Sequence, residues 1–162
     1  MRQRHRSIVD VHLIVRREGR IVMLRRANTG YGDGRLHLPS GHLEPNESVV
    51  DGVIREAKEE IGVGVEPSAL RCVHVMHRAD PDGDRVGFFF EADWWSGEPG
   101  NQEPEKCSEL VWVDPAAVPE DTIAYPAAAV ARTERGIFFS LHGWATTPAG
   151  RDAAGSPSNG SG

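Results

Sequence analysis

The sequence predicts a mixed β-sheet covered by helices, in either an α+β or a three-layer α/β/α arrangement. Three observations predict this. Five short stretches read as strands, some alternating apolar and polar residues and others apolar on both faces. One segment ahead of Gly62 repeats its apolar residues, Val50, Val53, Ile54, Ala57 and Ile61, with the period of a helix. The elements then follow in the order β-β-loop-α-β-β-loop-β-α, which interleaves helices with strands. With 162 residues, the chain has the length of one domain with a layered core. Pattern alone does not separate the two arrangements.

The elements follow in chain order. Residues 1–6 are a basic arm, read as a solvated terminus. Residues 7–17 form a strand, with Ile8, Val11, Leu13 and Val15 as its apolar positions. Glu18-Gly19 turns the chain into a second strand, residues 20–26, expected to pair with the first. Residues 27–36 hold Gly30, Gly32, Asp33 and Gly34 and read as a loop. The helix comes next, with Asn46 as its expected N-cap, Glu47 near the positive end of its dipole and Gly62 as its C-terminal stop. Residues 63–67 are a connector or a short strand. Residues 70–78 and 85–94 make a hairpin around a turn at 80–84, part of it buried because Phe88, Phe89 and Phe90 are apolar on both faces. Residues 96–108 form a polar loop of the length that often carries function. Residues 109–114 are a strand, 115–118 a single helical turn, and 126–135 a short alanine-rich helix ending at Gly136. Residues 1–148 are read as the domain. Residues 149–162, almost without apolar mass, are expected to be a disordered tail.

Composition narrows the partners. A net charge of −6 argues against a general nucleic-acid binder, and no stable nucleic-acid partner is expected. An acidic protein that handles polyphosphates needs a cation between the two negative partners. Cys72 and Cys107 lack metal-ligand spacing and read as ordinary reduced thiols. No apolar run approaches a membrane span, and the N-terminus lacks the apolar core of a signal peptide. No membrane partner is expected, and the expected location is cytoplasmic.

The chemistry concentrates in residues 41–63. Glu47 stands in the first turn of the expected helix, and Arg55, Glu56, Glu59 and Glu60 lie further along it. Glu56, Glu59 and Glu60 stand at i, i+3 and i+4, so they share one face. Carboxylates repel one another and are rarely gathered for packing alone, whereas a hard divalent cation wants such oxygen ligands. Glu56, Glu59 and Glu60 are therefore the candidate metal ligands. The bland reading of such a run is an amphipathic helix with a solvated acidic face.

The segment resembles the Nudix box, G-x5-E-x7-R-E-U-x-E-E-x-G-U with U apolar, of the Nudix hydrolases of the MutT type. Every fixed position is met, with Ala57 a small residue in its apolar slot. The resemblance implies the α/β/α sandwich of that family and cleavage of a diphosphate linkage with Mg2+, or Mn2+ in its place. It adds the Gly41 carbonyl as a ligand and Arg55 as an orienting partner, paired with Glu47 as its structural support. Divalent metals neutralise a polyphosphate and acidify bound water. The base that takes the proton from water is read as Glu105, with Glu103 a neighbour in the same loop and Glu56 or Glu59 as alternatives. Arg26 and Arg35 are candidates for phosphate contact, Tyr31 for stacking, and Asp121 and Thr122 for contact with a base. The first expected substrate is a nucleoside triphosphate, giving a monophosphate and pyrophosphate. Alternatives are another nucleoside diphosphate derivative, a prenyl diphosphate, a capped RNA end, or a ligand-sensing domain without catalysis. The family often forms dimers, but no seam in this sequence announces a homodimer.

Overall fold

A computed structural model describes residues 1–145. The expected tail and the last residues of the expected domain lie outside that range. Eight strands and two helices are present: β1 (Ile8–Arg17), β2 (Arg20–Arg26), β3 (Leu36–His37), β4 (Ser40–His42), α1 (Val49–Ile61), β5 (Leu70–Asp80), β6 (Gly83–Ala92), β7 (Cys107–Val113), α2 (Ala124–Glu134) and β8 (Phe139–His142). A 3-10 turn, Pro67–Ala69, precedes β5.

β1 is the axis of the sheet. It runs parallel to β6 over eight residue pairs, from Ile8↔Arg85 to Val15↔Ala92, and antiparallel to β4. The β5–β6 hairpin and a parallel β8 extend the sheet on one side. β2 meets β1 only beside their shared turn, at Arg16↔Ile21 and Arg17↔Arg20. It then diverges to pair with β3 and β7. The expected hairpin is thus real at its turn, and its strands go on to serve different parts of the sheet.

Alternation along β1 sets the layers. Val11, Leu13 and Val15 face one side and pack with Val53, Ala57 and Ile61 of α1. Ile14 faces the other side and packs with Met76, Phe89, and with Tyr125, Ala129 and Val130 of α2. One helix on each face makes the three-layer α/β/α sandwich, and resolves the alternative that the pattern left open. Among the described residues no helix is long and apolar enough to cross a membrane.

α1 is capped by Ser48, not Asn46. The Ser48 hydroxyl accepts from the Asp51 amide at 3.0 Å, while Asn46 sits in a turn with φ +61°. Asn tolerates that left-handed conformation better than most residues, which gives Asn46 a different task. At the other end Gly62 takes φ +72°, and its N–H and that of Val63 return to the last turn. Ser48→Ala is expected to lower stability by about 1 kcal/mol, read as a shift in the urea midpoint.

Two further expectations change. Residues 115–118 make a turn, not a helical one. β8 was not expected, because its pattern is inverted. Ser140 is the buried residue, bonded to His74 Nε2 at 2.8 Å, and Phe139 and Leu141 are exposed.

Candidate active site

The box forms one connected set of charges. Arg55 Nε and Nη2 donate to the two Glu47 oxygens at 2.7 and 2.8 Å. Its Nη1 reaches Glu56 at 2.8 Å and Glu59 at 3.2 Å. Nη2 also donates to the His42 carbonyl at 3.1 Å, which ties the helix to β4. The paired guanidinium holds the Glu47 carboxyl down to about 2 and raises the pKa of Arg55 in return.

Glu60 has a different environment. It is partly buried, accepts the Ser40 N–H at 2.9 Å, and forms no ion pair with a described residue. Burial first, then the charges of Glu56 and Glu103, push its carboxyl up to about 8. Burial also raises Glu56, against the pull of Arg55. Gly41 lies directly against the Glu56 carboxylate, so close that a side chain there would overlap it. The Glu59 side chain is half-exposed. Among the described residues no three carboxylates or imidazoles converge on one point, because Arg55 Nη1 stands between Glu56 and Glu59.

The donor set nevertheless fits a hard divalent cation. All its groups are oxygens, and Glu60 is a partly buried carboxylate crowded by negative charge with no cationic side chain bonded to it. Such a group stays costly unless it is protonated or meets a positive partner.

The polar loop after β6 is lashed to the end of α1 by Gly100 N–H to Ile61 O and Gln102 N–H to Glu60 O, both 3.0 Å. This brings Glu103 to the box, where its charge acts on Glu56 and Glu60. Glu105 is exposed, and its carbonyl receives Asn28 Nδ2 at 3.2 Å. The sequence reading preferred Glu105. A turn at residues 103–107 is closed by the Lys106 and Cys107 amides on the Glu103 carbonyl, and Lys106 Nζ lies 3.6 Å from the Glu103 carboxylate, which is the one of the two whose charge bears on the box.

A cleft of about 640 Å³ opens beside β4, on the α2 side of the sheet. Ser40 and Gly41 of β4 line it, as do Arg26 and Tyr31. Arg26 Nε holds the Tyr31 carbonyl at 2.7 Å, and its guanidinium lies 5.4 Å from the Tyr31 ring. Tyr31 itself is exposed. Three other candidates do not line the cleft. Arg35 Nη2 is bonded to the Thr122 carbonyl at 2.9 Å as a strut. Asp121 is paired with Arg25 at 2.6 Å. Thr122 is buried where its backbone bridges to Leu36. The segment 119–122 thus braces β3 and contributes no side chain to the cleft.

The cleft floor is a polar cluster that the sequence reading missed. Asp10 and Arg78 pair at 3.0 Å, and the Arg78 guanidinium lies 3.7 Å over the Tyr125 ring. The Tyr125 hydroxyl bridges His12 Nε2 at 3.0 Å and His37 Nε2 at 2.7 Å. The one available signal was polar residues, Asp10 and His12, inside an otherwise apolar strand. Burial lowers both histidines to about 3, so they are neutral. The unfolded chain would protonate them below about 6.5. Their stabilising contribution is therefore present above pH 6.5 and is lost as pH falls from there towards 3. The expected NMR result is that both imidazoles keep neutral-form shifts from pH 8 to pH 5. A titration near 6.5 would contradict their burial.

Comparison with known proteins agrees with this geometry. A family model described as the NUDIX domain matches residues 4–133. The chain is 32% identical over 90 residues to an ADP-ribose pyrophosphatase of Methanocaldococcus jannaschii, a match covering 56% of this chain and 53% of that protein. It is 28% identical over 95 residues to the 8-oxo-dGTP diphosphatase of Escherichia coli K12, covering 59% and 72%. The chain thus spans about half of the archaeal relative and nearly three quarters of the bacterial one. The crystal structure of a MutT NUDIX hydrolase from Burkholderia pseudomallei aligns with a TM-score of 0.70 at 26% identity, covering 78% of this chain and 97% of that one. A complete box on a helix that caps one face of the sandwich, and a family model matching most of the described residues, lead to one conclusion: this chain belongs to the Nudix hydrolase family.

Proposed function

We propose that the protein is a Mg2+-dependent hydrolase of nucleotide diphosphate linkages, acting on a nucleoside triphosphate to give a monophosphate and pyrophosphate. The observation that carries this is the position of Glu60. It is a partly buried carboxylate without a cationic side-chain partner, under the charges of Glu56 and Glu103, and bonded to the amide of Ser40, a residue that lines a nucleotide-sized cleft.

Glu56, Glu59 and Glu60, with the Gly41 carbonyl, would hold Mg2+ or Mn2+. A cation bound there neutralises phosphate oxygens and lowers the pKa of a water ligand. The chain's own residues do the rest. Arg55 and Glu47 fix the orientation of Glu56 and Glu59, a positioning role. Glu103 takes the proton from the attacking water at its carboxylate. Arg26, on the cleft wall, is placed to meet a phosphate oxygen, and Tyr31 offers an exposed ring beside it. The names of the two relatives favour nucleotides on both counts, and the triphosphate of the second matches the expected products.

The test is a substrate panel at fixed Mg2+, with products identified by mass. It should include the nucleoside triphosphates, ADP-ribose and a prenyl diphosphate. Release of pyrophosphate and a monophosphate from a triphosphate supports the reading. Turnover of ADP-ribose alone would replace the substrate. No turnover of any member, together with no Mg2+ binding by calorimetry, would overturn the enzyme reading.

A further inference from the structure

The sheet ends at β8, and no described strand lies beyond it. The Val75 N–H donates to the Phe138 carbonyl at 2.8 Å. In a parallel ladder of that register the backbone groups of Ser140 also point to β5, and those of Phe139 and Leu141 point outward. The side chains beside this edge are open as well. Phe138, Phe139, Leu141 and Trp144 are 37–55% exposed, and they make up four of the eight exposed large apolar side chains among the described residues. Phe139 continues the row Val11, Phe88, Val75 outward from the core. Edges are usually blunted by lysine, proline or a bulge. β8 has none of these, whereas β7, paired with β2 alone, exposes Ser108 and Glu109.

The symmetry and charge of the edge restrict what can cover it. Phe139 and Leu141 flank Ser140, so the strand presents the same pattern in both directions. An antiparallel copy centred on Ser140 sets Phe139 of each chain opposite Leu141 of the other. These are the residues whose N–H and C=O point outward, so both pairs are hydrogen-bonded pairs and four backbone bonds form. A shift of one residue would set outward groups against inward ones. Centring on Phe139 or Leu141 would leave the other without its partner in β8. Residues 136–144 hold no Asp, Glu, Lys or Arg in a chain of net charge −6, so two copies meet here without like-charge repulsion. Burial lowers the pKa of His142 and keeps it neutral at pH 7.

We propose that β8 pairs with β8 of a second copy of this chain across a two-fold axis centred on Ser140, joining two sheets into one. The contact is isologous and closes at two copies. At about 200 Å² for each large side chain, the exposed parts of the four apolar residues come to roughly 350 Å² per copy. A standard interface buries about 800 Å² per partner. The edge backbone and the half-exposed Val75 and His77 beside it add to the side-chain area. The dimer is therefore small and depends on concentration.

Light scattering and sedimentation of the full chain test this. At about 100 µM, above the micromolar constants of weak interfaces, the wild type is expected near twice 17.7 kDa, with the monomer appearing on dilution. Phe139→Lys with Leu141→Lys puts an ammonium opposite an ammonium and should give the monomer at the same concentration. Phe139→Lys with Leu141→Glu puts an ammonium opposite a carboxylate in the proposed register alone, and should restore the dimer. The second variant controls for folding, because it alters the same two exposed positions. A wild-type monomer at that concentration would overturn the proposal and leave residues 146–162 or another partner as the cover of the edge. A dimer that survives the double lysine variant would place the interface elsewhere. Failure of the lysine–glutamate variant to dimerise would overturn the register, and with it the strand pairing. A ladder of larger species in the wild type would overturn the closed two-fold.

Discussion

Glu59→Gln is expected to lower kcat by about 10²–10³ in Mg2+ while leaving the fold almost unchanged. The side chain is 49% exposed, and its contact with a described residue is the 3.2 Å bond from Arg55 Nη1. A glutamine oxygen can still accept that bond. Exposed pairs of this kind contribute about 0–1 kcal/mol, so the melting temperature should hardly move. The chemical cost is larger. The amide removes one negative ligand from the set that faces the diphosphate. Metal-based charge stabilisation is worth several kcal/mol, and each 1.36 kcal/mol is a factor of ten in rate. Turnover and thermal unfolding measured on the same preparation separate the two effects. Near-normal turnover would show that the cation is not held by this helix. A large drop in melting temperature would show that Glu59 is structural.

This prediction draws on the part of the molecule that was legible in the sequence. The spacing of Glu56, Glu59 and Glu60 fixes a helical face whatever surrounds it, and Gly62 marks the end of α1 by a backbone requirement that few other residues meet. Five strands were legible for the same local reason: 20–26 matches β2 at both ends and the other four shift by one or two residues, whereas β3, β4 and β8 were not expected. What the sequence concealed depends on contacts between distant positions. Asp10 and Arg78 are 68 residues apart and meet only because β6 runs between β1 and β5. Alternation could place each on a face of its own strand, but not opposite the other. The choice between Glu103 and Glu105 is similar. Both sit in one acidic loop, and nothing local shows that the backbone bonds from Gly100 and Gln102 to the last turn of α1 bring the charge of Glu103 to bear on Glu56 and Glu60. Asp121 and Thr122 looked available because nothing local shows that Arg25 and β3 already engage them.

Gly41→Ala tests the joint between the sheet and the box helix, and its expected effect is of the same order. Gly41 is paired with Val11 in β4, and its Cα faces the Glu56 carboxylate without a gap. A methyl group added there would overlap both carboxylate oxygens. The carboxylate cannot simply swing away. It is largely buried, held by Arg55 Nη1 at 2.8 Å, and flanked by the negative charges of Glu59 and Glu103. Either β4 moves off the helix or Glu56 leaves Arg55. The first disturbs Ser40, whose amide serves Glu60. The second strands a carboxylate in a desolvated site. Overpacking of this kind costs about 1–3 kcal/mol of stability. Because either response displaces a proposed ligand, kcat should fall by at least about 10². Gly41 carries no positive φ among the described backbone exceptions, so the effect is steric and not conformational. A double variant separates these: Glu56→Ala in the Gly41→Ala background should recover most of the lost stability and none of the activity. If Gly41→Ala alone kept both, the contact between Gly41 and Glu56 would be slack, and the carbonyl of Gly41 would lose its claim to be part of the cation site.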